Sequence, residues 1–573
     1  LVQIDQDFCQ NSYGVAPCTA SGSVKCFNTR KTCEDPANYD KGVLTLTFAK
    51  PQVNLPTDEN IIPSLVQSST APSVINPSNN NKNTSALGQR AVASLTFQDH
   101  PHSDFRVDPY VEERSYNPFE RSSFWAKWLA RNPYYQNRPV RIYDGYIGQE
   151  LADMNVRHYL IDAINGPDAN GSVKLTAKDP LNLADKEKAQ VPVAVQGKLL
   201  TAINTTDTQI DIANAVLTDY AVSGTVRLGD EIMTYTTRAL VNISGTDYVR
   251  LSGITRATDG SVVASHAVDA NVQGCVRYTD QTIWDVIYDL LVTYAKIPAA
   301  FIDKDEWDLE GDTWLVGFNI TSLLSKPTGV GTVLAEILQQ VLAYIWWDER
   351  SQKIKFRAFR AIPNAGSIND DANILENSVS ITTDPKERIS QLWIYWNQRN
   401  AALPLDNEAN YDSLRIRADT DAESPNKYGE AKIRKIFARW IQTDAQAIIL
   451  GTRFLEFAID NPKTLKLRVD AKDRSYWTGD VLTVQHRNIV DPFGVPQFER
   501  YQILSAEEVQ PGEVVEYQLQ SFAIRVARVG FYTENDALHY EDYTPEEITE
   551  QRLSFYADEN GLMPDSTNGW EYQ

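Results

Sequence analysis

Apolar and polar positions alternate with a period of two over much of the chain, and short runs of this kind predict strands. Val43–Phe48, Ala91–Phe97 and Arg138–Ile147 read this way. His158–Ile164 and Ser172–Ala177 flank the turn-forming NGPDANG and read as a hairpin. Residues 66–90 are rich in Ser, Asn and Pro and read as loop. One helix is predicted among these strands. It has Asn117 as N-cap, Pro118 at its first position and Glu120 at its third, and an apolar stripe of Phe124, Trp125, Trp128 and Leu129.

Residues 191–278 combine short strands with frequent turns and predict a separate small β unit. The period then changes to 3.6. Ile283, Trp284, Ile287, Leu290, Leu291 and Tyr294 share one helix face, and Val333, Ile337, Leu338 and Val341 share another. A tight hairpin follows, from Tyr344–Trp347 to Lys353–Arg357. From Gln391 the pattern is β again, interrupted by one helix over Asp444–Asp460. Strands at Thr464–Val469, Val481–Gln485, Arg500–Ser505 and Val514–Gln520 predict a second large β unit.

The fold class is therefore mainly β and multidomain, with an α+β middle. Six segments are predicted: a four-cysteine segment (1–40), a first barrel-like domain with one helix (41–190), an inserted small β domain (191–278), an α+β domain (279–380), a second barrel-like domain (381–533) and an acidic tail that orders on a partner (534–573). With 573 residues, 42% of them hydrophobic, there is enough material for several cores.

Charge narrows the function. The net charge of −22 lacks the basic face of a specific nucleic-acid reader and repels anionic membranes. No apolar run reaches the ~18 residues of a membrane span, so no stable membrane insertion is expected. Gln3, Asp5, Gln6 and Asp7 do not resemble a secretory leader, and the chain is expected to stay in the cytosol or leave it by another route. There is no GxSxG, HExxH or phosphate-binding loop. His100 and His102, within Asp99–Asp104, predict a polar loop with satisfied side chains, the alternative being a metal or His/Asp relay.

The remaining chemistry lies in the first forty residues. Cys9, Cys18, Cys26 and Cys33 stand among Asn, Gly, Pro, Ser and Thr, with no apolar period through the segment. Such loops do not order by burial, so the sulfurs are expected to be tied together. Two disulfides would need an oxidising compartment. Zinc usually takes closer C-x2–4-C knuckles. The C-x2-C runs of ferredoxin-type iron–sulfur sites are also missing, so spacing leaves all three ties open. Lys25, Arg30 and Lys31 place positive charge nearby, which favours thiolates. Cys275 stands alone and reads as a small buried apolar residue.

Several strings are specific. VQIDQDFC, YGVAPC, KCFNTRKTC, FQDHPHSDFRVDPYVEERSY, FWAKWLARNPYYQNRPVRIYDGYIG, VLAYIWWDER, DAESPNKYGE, DAKDRSYWTGDVL and ADENGLMPDSTNGW resemble tail proteins of long, flexible-tailed bacteriophages, of the lambda-like or chi-like siphovirus kind. The similarity covers nearly the whole chain and points to baseplate-hub, or tail-tip, proteins. It implies a non-enzymatic virion protein, assembled in the host cytoplasm and located at the tail tip. It implies a homotrimer whose two barrel domains per subunit give a pseudo-sixfold ring around the DNA channel. The implied partners are the distal tail or tail tube ring, the tape measure protein and the central fibre. A lambda-like tail-tip protein carries an iron–sulfur centre on four cysteines, and the resemblance thus implies a [4Fe–4S] cluster on Cys9, Cys18, Cys26 and Cys33, with zinc or disulfides as rivals. A peptidoglycan hydrolase and a receptor-binding fibre are the competing readings. The first should bring an acid/base pair or zinc site, and the second should bring repeats.

Overall fold

Eight strands form the first sheet, in the order Ile61–Ile62, Lys41–Phe48, Val2–Cys9, Pro139–Asp144, Asn155–Asn165, Ser172–Lys178, Val92–Gln98 and Leu65–Ala71. The computed structural model describes residues 1–51, 60–77, 87–146, 148–383, 388–458, 462–510, 512–522, 529–531 and 554–556. Two strands of this sheet depart from the sequence reading. Val2–Cys9 pairs with Lys41–Phe48 along its whole length and buries Val2 and Ile4. Its polar Gln6 is buried as well, because the Trp128 indole N–H donates to Gln6 Oε1 at 2.6 Å. Leu65–Ala71 is a strand where loop was predicted. It is an edge strand whose Leu65 faces the core, and among the described residues it pairs only with Val92–Phe97. An edge tolerates such a polar sequence because one flank and one face meet water.

The predicted helix also begins later than expected. Asn117 Oδ1 does accept from Phe119 N at 3.1 Å, but Pro118–Glu120 is a single 3-10 turn. Ser122 then takes a left-handed backbone, φ +63°, and the α-helix spans Phe124–Arg131. Its start is capped from a distance. Asp99 Oδ1 accepts from Trp125 N at 2.8 Å, Asp99 Oδ2 accepts from the Ser123 hydroxyl, and His100 O accepts from Phe124 N at 2.8 Å. The helix buries Phe124, Trp125 and Trp128 against the sheet, with Trp125 stacked on Phe48 at 5.3 Å between ring centroids.

A second large sheet has six strands, in the order Asn364–Asn369, Val481–Val490, Pro496–Gln510, Val514–Ser521, Lys463–Asp470 and Ser380–Thr383. Among the described residues neither large sheet closes into a barrel, which corrects the barrel-like expectation. In the first sheet the two edges, Ile61–Ile62 and Leu65–Ala71, follow one another in the chain and share no ladder. Ala49 bridges them, donating to Ile62 O and accepting from Leu65 N.

Between these sheets lies the helical core. Ile283–Asp289 continues as a π-helical stretch, Leu290–Tyr294, and packs with Val330–Val341 and the hairpin Ala343–Asp348/Lys353–Ala358. Trp307, on the helix Lys304–Trp314, donates its indole N–H to Ile354 O at 3.0 Å. The hairpin of this core meets the second large sheet and the loop that follows the edge strand Leu65–Ala71. Ile75, Tyr344, Trp346 and Leu504 form one apolar cluster, Ile75 N donates to Leu504 O at 2.9 Å, and Gln502 Nε2 donates to the Tyr344 hydroxyl at 2.7 Å.

Two small sheets between Lys198 and Gly274 share a core that includes Leu199, Ile212, Val226 and Val249. A three-stranded sheet, in the order Tyr411–Ala418, Gln391–Gln398 and Ile433–Ala438, is covered on one face by the helix Asp444–Ala458. Of the predicted tail 534–573, only Ser554–Tyr556 falls within the described residues, where it pairs in parallel with Val529–Phe531. Among the described residues no helix is long and apolar enough to cross a membrane.

Candidate functional site

The four cysteines sit in loops beside the first sheet. Cys9 is the last residue of the strand Val2–Cys9 and is buried, while Cys18, Cys26 and Cys33 are half-buried. Asn28 links two of them. Its backbone O accepts from Cys9 N at 2.7 Å, its Nδ2 donates to Cys9 O at 2.8 Å, and its Oδ1 accepts from Cys26 Sγ at 3.4 Å. It does this from a left-handed backbone, φ +51°, which Asn adopts more readily than most residues.

The loops are ordered largely by polar bonds and docking rather than by an apolar period. Asp35 Oδ2 accepts from Thr19 N at 2.8 Å and from the Thr19 hydroxyl at 2.9 Å, and these bonds hold its carboxyl down to about 2. The Tyr13 hydroxyl donates to Glu34 Oε2 at 2.5 Å. The Phe27 ring lies between two guanidinium groups, Arg114 at 4.1 Å and Arg131 at 3.9 Å. Arg114 also donates to Lys25 O at 2.6 Å, to Cys26 O at 2.9 Å and, through Nε, to Asp108 at 2.8 Å. The segment is thus clamped onto the excursion that carries the helix Phe124–Arg131. Sequence reasoning missed Arg114, Phe27 and Asn28. Only the left-handed tolerance of Asn28 was there to be read.

The thiols form no disulfide. They do lie close enough to interact. Burial pushes the Cys26 thiol up, and Cys33, Cys18 and Cys9 raise it further. Burial raises Cys33 too, with added contributions from Cys9 and Cys18. This is opposite to the lowering expected from nearby cations. Lys25 is engaged with Glu113 at 2.7 Å, and Arg30 lies over the Tyr39 ring. Among the described residues, no three His, Cys, Asp or Glu side chains are drawn together tightly enough to hold a single metal ion. The donor set is four thiols gathered in one loop cluster, which suits a thiolate-bound group in chemistry.

His100 and His102 serve the polar loop that was expected. His102 Nδ1 accepts from Asp104 N at 2.9 Å, and Asp104 pairs with Lys127 at 2.7 Å and Arg131 at 2.8 Å. Cys275 packs beside Ile232, Leu323 and Ala402, and burial pushes its thiol up to about 12.

An open groove of about 990 Å³ runs between the two large sheets, lined by Thr70, Asp144, Arg157, Glu349, Trp477 and Glu507 among others. It carries both signs of charge, and Arg157 and Asp144 are paired within it.

No family model matches the chain. No curated protein matches it either. Solved tail proteins align with the chain at low overall similarity. The prophage MuSo2 43 kDa tail protein from Shewanella oneidensis aligns at 9% identity over 80% of this chain and 97% of that chain, with a TM-score of 0.35. The prophage tail protein gp18 from Listeria monocytogenes EGD-e aligns at 11% identity over 68% and 87%, with a TM-score of 0.31. A chain of the virion of a native gene transfer agent particle aligns at 12% identity over 57% and 82%, with a TM-score of 0.31.

Proposed function

We propose that this chain is a structural virion protein, a trimeric baseplate hub at the tail tip. It joins the tail tube or distal tail ring, the tape measure protein and the central fibre, and forms part of the DNA channel. The observation that carries this reading is the pairing of two large β sheets on one rigid middle. Tyr159 of the eight-stranded sheet meets Glu349 in the turn of the hairpin Ala343–Asp348/Lys353–Ala358, and Gln502 of the six-stranded sheet donates to Tyr344 of the same hairpin. One subunit thus offers two β faces, and three subunits offer six to a sixfold tube. The strings shared with tail-tip proteins point the same way. The acidic balance suits a channel through which DNA slides without being held, because each phosphate contact would add a salt-sensitive grip.

Within this reading, Cys9, Cys18, Cys26 and Cys33 hold one [4Fe–4S] cluster as a structural cross-link. The resemblance to tail-tip proteins is what favours a cluster over zinc, which would draw four sulfurs to about 2.3 Å of one point. The hub reading is tested by the copy number in a reconstruction of the intact tail tip. Three copies around the axis are expected, and six copies in one ring or a single copy would overturn it. Zymography tests the hydrolase alternative, which a clearing band abolished by one carboxylate substitution would establish.

A further inference from the structure

The groove between the two large sheets runs along an edge strand. Leu65–Ala71 is the last strand of the eight-stranded sheet, and Leu65 N donates to Ala49 O at 3.0 Å. Past Leu65, the outer flank of this strand has no backbone partner among the described residues. Gln67–Ala71 carries no charge and no proline, which are devices that commonly guard an edge. An open space of about 520 Å³ lies beside it, bordered by Ser68, Ser69 and Thr70. Successive side chains of a strand point to opposite faces, so a space that touches three residues in a row lies along the flank. This space runs on into the groove of about 990 Å³, and Thr70, Arg157, Glu507 and Glu508 belong to the walls of both.

The charges left unpaired in the groove are mostly negative. Glu349 is 7% exposed, and its hydrogen-bond contact among the described residues is the Tyr159 hydroxyl at 3.5 Å. Burial pushes its carboxyl up, and a cation seated beside it would offset that cost. Glu507 and Glu508 have no ion pair or side-chain hydrogen bond among the described residues. Most of the cations are engaged. Arg157 is bonded to Asp144 and, at 2.7 Å, to Thr70 Oγ1. Arg350 donates to Ser475 O at 3.2 Å and lies 3.8 Å over the Trp477 ring. Lys472 Nζ donates to Ala372 O at 2.7 Å. Among the described residues the carboxylates do not gather tightly enough to hold a metal ion, so their charge is spread along the groove.

We propose that this groove binds a basic, extended segment of another protein, which adds a strand to the free flank of Leu65–Ala71 and sets a lysine or arginine against Glu349. Backbone pairing along an edge supplies affinity, and side chains at every second position supply selectivity. The unpaired carboxylates select against nucleic acid and against the chain's own acidic stretch 534–573. Binding of this kind depends only on the groove, so it stands or falls separately from the trimeric hub.

The test is fluorescence anisotropy of the full chain with a labelled peptide of alternating Lys and Val, at about 0.15 M salt, where weak surface attraction is screened. The double variant Glu349→Gln/Glu507→Gln keeps the size of both side chains and should weaken binding about tenfold or more. Asp305→Asn/Asp312→Asn removes the same charge from exposed positions on the helix Lys304–Trp314 and should change it less than about twofold. A fully N-methylated form of the peptide cannot donate to an edge and should not bind. Hydrogen exchange in peptides spanning 65–71 should slow when the unmodified peptide is added. Equal losses in the two double variants would mean general attraction to an acidic protein. Equal binding of the N-methylated peptide would mean a site for cations without strand addition. Either result overturns the proposed site, as does an unmodified peptide that fails to bind or that protects other strands instead.

Discussion

The Tyr159 hydroxyl lies 3.5 Å from Glu349 Oε1, and this contact joins the first sheet to the hairpin of the helical core. Both side chains are buried. Burial pushes the Glu349 carboxyl up to about 7. Arg157 opposes the shift, while Asp179 and Asp348 add to it. Asp179, also buried, is pushed up to about 6.

A folded-state pKa above the unfolded value means that the stabilising contribution is full below the unfolded pKa and is lost as pH rises through the folded one. For Glu349 the window runs from the ordinary carboxylate value, about 4.3, to about 7. Glu349→Gln should therefore raise stability at pH 8 relative to wild type, by on the order of 3–4 kcal/mol, and gain little at pH 4. Denaturant titrations at the two pH values check this. An equal effect at both would count against a buried, proton-linked Glu349.

Glu231 behaves in the opposite sense. It is 1% exposed, which raises its carboxyl, but bonds from Arg256, Ala264 N and His266 more than offset this and hold it down to about 2. Arg256 grips it with two bonds of 2.8 Å. Its contribution is present above the ordinary carboxylate range and lost as pH falls toward about 2. Glu231→Ala leaves a buried guanidinium without its carboxylate and should destabilise the small β unit by about 3–5 kcal/mol. Hydrogen exchange in peptides from residues 224–274 should speed up sharply, while the large sheets stay protected.

Asp99 caps a helix that lies well beyond it in sequence. Asp99→Ala removes acceptors for Trp125 N and the Ser123 hydroxyl and should destabilise the start of Phe124–Arg131 by about 1–2 kcal/mol. Exchange at the amides of residues 124–127 reads the effect. Unchanged protection there would mean that packing of Trp125 alone sets the helix start.

The proposed cluster makes its own prediction. Anaerobically purified protein should be brown and contain iron and acid-labile sulfide in equal amounts, and Cys26→Ser should lose both. Metal loading and local folding are coupled in such segments, so this variant should also loosen residues 10–38 while the large sheets keep their protection. Colourless protein with one zinc per chain, or thiols that resist alkylation until reduced, would assign the cysteines to one of the rival ties. Asn28→Ala should weaken loading without removing a ligand, because Asn28 links Cys9 to Cys26.

The sequence alone located most strands and the three helices at Ile283, Val330 and Asp444, because the apolar period of each helix is carried by side chains that face a single core of its own. It also showed the four cysteines and the loop character between them. Tertiary structure decided what periodicity does not encode. Val2–Cys9 reads as polar, yet it is a central strand, since Trp128 satisfies its buried Gln6 across the sheet. Leu65–Ala71 reads as loop, yet it pairs, since an edge needs only one partner. The helix cap at Asp99 and the clamp of Arg114 on Cys26 join residues far apart in the chain. Their energy comes from hydrogen bonds whose geometry exists only after the sheet has brought those segments together.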